Sequence, residues 1–141
     1  MSTIKAMRKP SKIQFIETMY LLVDKTWKNL KKFPKSTVSI QNEIRQLIDD
    51  AEDCVIIANK IGISTQTSLD EKRMMFEKSL GYLDAFDCKM SRFIDHYGHG
   101  KNDDDQFIMK EGSIKELARL IDEETSLLKQ VLKKLPKELG P

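Results

Sequence analysis

Pro34 separates two amphipathic runs, and that separation constrains the fold more than any other feature of the chain. A proline inside a helix removes an amide donor and drives its predecessor, here Phe33, out of the α region. Before it, Ile13, Ile16, Tyr20, Val23, Trp27 and Leu30 recur at steps of three and four, the spacing that gathers side chains on one helix face. After it, Ile40, Ile44, Leu47, Ala51, Cys54, Ala58 and Ile61 keep the rhythm, and Ser39 stands where an N-cap would open the second helix. Two helices joined by so short a connection pack as antiparallel neighbours.

The rhythm continues to the C-terminus. Gly62 suits a helix C-cap, and Ser68 with Glu71 forms a capping box for a third helix. Its inward positions are Phe76, Leu80, Leu83, Phe86, Met90, Phe93 and Tyr97, and Gly98 ends it. Residues 98–112 hold three glycines and three consecutive aspartates, which predicts a long acidic loop with Phe107 to Met109 folded back onto the helices. Ser113 and Glu116 form a second capping box, Leu117, Ile121, Leu128, Val131, Leu132 and Leu135 face inward behind it, and Pro136 closes the helix. The expectation is an all-α chain with an antiparallel up-down-up-down four-helix bundle over residues 11–136. Its helices are expected at about 11–32, 39–61, 68–97 and 113–135, after a mobile basic arm at 1–10 and before a tail at 137–141.

Composition agrees with this class. The chain of 141 residues is long enough for one domain and is 33% charged with only six glycines and four prolines, a balance that fits solvated helices rather than a turn-rich β fold. Phe15, Met19 and Leu22 widen the apolar stripe of the first helix, which is therefore expected to meet two neighbours or a second subunit. Ile48, Val55, Ile56 and Ile57 do the same for the second, expected to be the most buried helix. Cys54 and Cys88 fall at apolar helical positions and read as packed, reduced thiols of a cytoplasmic protein. The longest uncharged run, Ile61 to Leu69, is nine residues, far below the roughly 20 that cross a bilayer, so no membrane partner is expected. No signal peptide is expected either, because Glu17 interrupts the apolar segment behind the basic N-terminus.

Charge is distributed unevenly. Residues 1–35 carry nine Lys or Arg against two acids, a net of +7, and residues 36–141 carry fifteen against twenty, a net of −5. The candidate nucleic-acid-binding residues are Lys25, Lys28, Lys31, Lys32 and Lys35 around the end of the first helix, with Arg8, Lys9 and Lys12 in the arm. Lysines neutralise phosphates regardless of base sequence; the same residues also make an ordinary solvated helix face. Trp27 lies on the inward seam and reads as core, and Phe33 as a pin for the interhelical turn. Arg92, six residues, then His99 matches the spacing of the active pair in HEPN-type ribonucleases, although Gly98 would set the two across a helix end. His96, His99 and Asp103 to Asp105 lack a recognised metal-ligand spacing. No phosphate loop, nucleophile elbow or dinucleotide fingerprint occurs, so the expectation is a non-enzyme with no catalytic residue, cofactor or metal.

Phe33-Pro34-Lys35 after an aromatic-rich first helix, Ala58-Asn59 at the end of an apolar second one, and two further amphipathic helices resemble a known family across about residues 15–135. It is that of the small bacterial four-helix-bundle proteins encoded within 23S rRNA intervening sequences, related to the accessory variability determinant of diversity-generating retroelements. The resemblance implies a homopentameric ring without enzymatic activity, binding RNA or DNA through basic surfaces and working with a reverse transcriptase. The acidic loop and the lower positive charge of helices two to four set this chain apart from the retroelement relatives.

Overall fold

Each stretch with three-four apolar spacing is a helix in the computed structural model, which describes residues 13–99 and 108–140. The helices are α1 (Gln14–Leu30), α2 (Val38–Lys60), α3 (Gln66–Phe93) and α4 (Glu111–Lys134). A 3-10 turn, Lys35–Thr37, precedes α2, a π-helical turn, Ile94–Gly98, prolongs α3, and the described residues include no strand. None of the described helices is long and apolar enough to cross a membrane.

Each helix packs on the next and α4 returns to α1, whereas the backbones of the diagonal pairs α1/α3 and α2/α4 stay apart among the described residues, with the Phe15 and Phe76 rings, 5.6 Å between centres, meeting edge to face across the α1/α3 diagonal. The α2/α3 seam is the most extensive. Ala51, Ala58 and Ser79 have no solvent exposure, and such small side chains let the two backbones come close enough for Ser79 Oγ to donate to the Ala51 carbonyl at 2.8 Å. Farther along, Lys72 Nζ donates to the Ala58 and Ile61 carbonyls, both at 2.9 Å, and Lys89 pairs with Glu43 at 3.2 Å. On the other side of the molecule Gln14 donates to Glu123 at 3.4 Å and Lys25 lies 4.0 Å from Glu116. Phe76, Phe86, Met19, Leu22, Leu83 and Leu128 are among the fully buried side chains between the helices.

Several expected helix ends move. Pro34 does stop the first helix, but α2 begins at Val38 rather than Ser39, because Thr37 N, Thr37 Oγ1 and Gln41 Nε2 all donate to the Pro34 carbonyl, at 3.0, 2.7 and 3.3 Å. Gly62 is not in the left-handed conformation; Ile61 leaves α2 extended, and the Lys72 ammonium supplies the cap from α3. The box that opens α3 is Thr65 with Ser68, each side chain accepting from the other's backbone N–H at 3.0 Å, so Ser68 is the third helical residue and not the cap. Ser113 and Glu116 form no box: α4 starts at Glu111 with no side-chain cap, and Glu116 is taken by Arg119. α2 is not the most buried helix, since Val38, Ile40 and Ile57 are exposed. Cys54 is buried and Cys88 exposed, and both are free thiols. Ile108 and Met109 do fold back into the core, while Phe107, Asp103 to Asp105 and the N-terminal arm lie outside the described residues.

The apolar stripe of α4 contains one charged residue. Glu124 has no solvent exposure and both of its carboxylate oxygens lack a hydrogen-bond partner. Burial, with a smaller contribution from the Glu123 charge, pushes its pKa from 4.5 up to about 8, so the side chain is a neutral acid at neutral pH. An unfolded chain releases that proton near pH 4.5, so the folded state holds the extra proton between the two values. The stabilisation is complete below pH 4.5 and is lost as pH rises through about 8, at about 1.4 kcal/mol per pH unit within the window. Urea titrations from about pH 5 to about pH 9 are expected to show this decline, and Glu124→Gln, which cannot ionise, to flatten it and to be the more stable protein at the alkaline end.

Candidate nucleic-acid interface

The basic residues sit where α1 runs into the Pro34 turn. As α1 ends, Lys32 N and Phe33 N donate to the Asn29 and Leu30 carbonyls, each at 3.1 Å, tightening the last turn and bending the chain toward α2. Asn29 is itself buried and donates to the Lys25 carbonyl at 2.8 Å. Lys28, Lys31, Lys32 and Lys35 are all exposed. Lys28 lies in the last turn of α1, where a cation complements the negative end of the helix dipole.

Two of the expected lysines differ in setting from the rest. Lys35 belongs to the 3-10 turn, so it extends the basic surface around the corner rather than along α1. Lys25 is half-exposed and near Glu116. The Arg119 guanidinium grips Glu116 with two bonds of 3.1 and 2.9 Å and Glu123 with one of 2.8 Å. These bonds hold the Glu116 carboxyl below its ordinary pKa, with Lys25 contributing least. Lys25 thus faces a committed anion, whereas at this end of the molecule Lys28, Lys31 and Lys35 pair with no carboxylate among the described residues and Lys32 makes only a 3.4 Å bond to Asn29. Arg8, Lys9 and Lys12 lie outside the described residues.

The aromatic residues among the lysines are structural. Trp27 packs against the core, with the Arg45 guanidinium 5.6 Å from its ring centre. Its indole N–H makes no well-formed hydrogen bond, yet it draws down the pKa of Asp49, which burial raises by more. Phe33 is buried, its ring 4.4 Å from that of Phe93, and so anchors the turn to α3.

Arg92 and His99 border different depressions among the described residues. Arg92 borders a groove with Ile40, Glu43, Lys89, His96 and Tyr97, whereas His99 borders a separate depression with Met109, Lys110 and Ile114. No cluster of three or more metal-ligating side chains occurs among the described residues. Tyr97, expected inward from its spacing after Phe93, is 37% exposed, because the helix has changed to π geometry by the time the chain reaches it. The polar run Asp95-His96-Tyr97-Gly98-His99 is the sequence signal of that surface.

Comparison with protein-family models, with curated proteins and with solved structures finds no match to this chain.

Gly98 holds the π turn in place. It is buried, its carbonyl accepts from Met109 N at 3.3 Å, and an added Cβ would lie 2.9 Å from Ile94 Cγ2. Ile94 is β-branched and buried, so it has little room to yield. Gly98→Ala is expected to cost about 1–3 kcal/mol in chemical denaturation.

Proposed function

We propose that this protein is a non-enzymatic accessory protein that binds RNA or DNA through phosphate contacts from Lys28, Lys31, Lys32 and Lys35, with the arm residues Arg8, Lys9 and Lys12 and a lesser share from Lys25. The observation that carries the reading is four exposed lysines on one helix end and its turn, within a segment of net charge +7. The resemblance around Phe33-Pro34-Lys35 and Ala58-Asn59 supplies the rest: membership of the intervening-sequence family, a cytoplasmic site and a reverse transcriptase of a diversity-generating retroelement as partner. An antiparallel up-down-up-down bundle is supported by the paired contacts, in which Glu43, Ala51 and Ala58 of α2 meet Lys89, Ser79 and Lys72 of α3 in reversed order. A homopentamer is supported by the resemblance and by apolar surface left at Leu21, Val38 and Ile57, each about half exposed. In a ring every subunit repeats the lysine turn, so weak phosphate contacts add through multivalency.

Sedimentation velocity is expected to give about five times the 16.3 kDa protomer mass; a monomer at micromolar concentration removes the ring. Affinity for structured RNA and duplex DNA is expected to fall steeply with salt. Changing Lys28, Lys31, Lys32 and Lys35 to Glu is expected to weaken it by about tenfold or more and to flatten the salt slope. If the protein binds neither at low salt, the exposed apolar residues are left to an adaptor that binds only protein.

A further inference from the structure

At the end of the molecule that carries the lysines, α3 does not simply stop. After Phe93 its backbone widens into the π-helical turn Ile94–Gly98, a geometry that is rare and concentrated at functional sites. The widening leaves Phe93 in the core and brings Tyr97 and His96 to the surface. The rings form a ladder from inside to outside. Phe33 lies 4.4 Å from Phe93, Phe93 lies 5.2 Å from Tyr97, and Tyr97 lies 6.2 Å from His96. Its inner rung, Phe33, stands in the chain between Lys32 and Lys35, so the ladder ties the lysine turn to the groove at its outer end.

That groove has a volume of about 250 Å³ and is lined by Ile40 and Glu43 of α2, Lys89, Arg92 and Phe93 of α3, and His96 and Tyr97 of the π turn. It is smaller than the roughly 300 Å³ at which pockets begin to enclose a drug-sized ligand, so it accepts one ring system rather than a whole cofactor. Its one carboxylate, Glu43, is paired with Lys89. Arg92 is exposed and has no partner among the described residues. A site offering an aromatic face, an uncommitted guanidinium and space for a single ring matches one nucleotide of a longer chain: the base stacks and the adjoining phosphate takes the charge. A duplex keeps its base faces covered by their neighbours, and only an unpaired strand can offer one.

We infer that this groove binds one base of a single-stranded nucleic acid, stacked on Tyr97, with Arg92 on the neighbouring phosphate. The inference rests on the nucleic-acid function proposed above and adds to it the type of strand and the residue that grips it. A base on Tyr97 leaves the strand free to continue over the lysine turn.

The test is fluorescence anisotropy at low salt with a short unpaired RNA and with a blunt-ended RNA duplex of the same length. Tyr97→Ala is expected to weaken binding of the unpaired strand by about tenfold and that of the duplex by less than about twofold, with Tyr97→Phe retaining the wild-type affinity. Arg92→Ala is expected to weaken unpaired-strand binding and to reduce its salt slope by about 0.7, the share of one phosphate on a single strand. Ultraviolet cross-linking of a thiouridine-labelled strand to the wild-type protein is expected to place the adduct on the peptide that contains Tyr97, a readout that does not depend on any variant folding. Equal losses for both RNAs, an unchanged affinity in Tyr97→Ala, or an adduct elsewhere overturns the inference. If the lysine-to-glutamate variant loses binding while Tyr97→Ala does not, the groove is wrong and the lysine interface stands; if the wild type binds neither RNA, both fall.

Discussion

The close approach of α2 and α3 is the constraint on which the rest of the arrangement depends. It requires Ala51, Ala58 and Ser79 to be small, because any larger side chain on that seam would hold the helices apart and break the bond from Ser79 to the Ala51 carbonyl. Once the seam is set, its two ends follow. Lys72 falls within reach of the last carbonyls of α2, its pKa lowered by the burial this entails, and Lys89 falls beside Glu43. The second of these places the end of α3 against the start of α2, so the aromatic groove there follows directly from a small-residue seam near the middle of the helices.

Secondary structure was legible wherever one period explained a whole element. The stripes of α1, α3 and α4 could be read from spacing, as could the stop at Pro34 and the inward fold of Ile108 and Met109. Misreadings arose where a distant partner decided a local outcome. Gly62 lost its capping role to a lysine on the next helix, and Ser39 lost its place to the Pro34 carbonyl, which gathers donors from Thr37 and Gln41. At Ser68 two overlapping capping patterns compete within a few residues, and the upstream one, with Thr65, is formed. Tyr97 was misplaced because a 3.6-residue period does not survive a π turn. Glu124 shows the converse: the steps from Ile121 to Leu128 fix its position inside, but nothing local says that a carboxyl would be tolerated there.

The charges divide by whether they are already used. Arg119, Lys25, Lys72 and Lys89 are each held by a carboxylate or carbonyl of the fold. Lys28, Lys31 and Lys35 have no such partner among the described residues, and Lys32 has only a long 3.4 Å bond to Asn29. A modest net charge therefore conceals a local excess, because the acids that balance the total are concentrated elsewhere in the chain.

The formal charge of +2 counts every carboxylate as ionised. With Glu124 protonated in the folded state, the native chain carries +3 at neutral pH, one more than the sum, and the unfolded chain returns to +2. Folding at neutral pH is thus also a proton uptake from the surrounding buffer. The heat of unfolding measured in a calorimeter includes the heat of that buffer accepting the released proton, so it differs between buffers of high and low ionisation enthalpy even at identical pH and melting temperature.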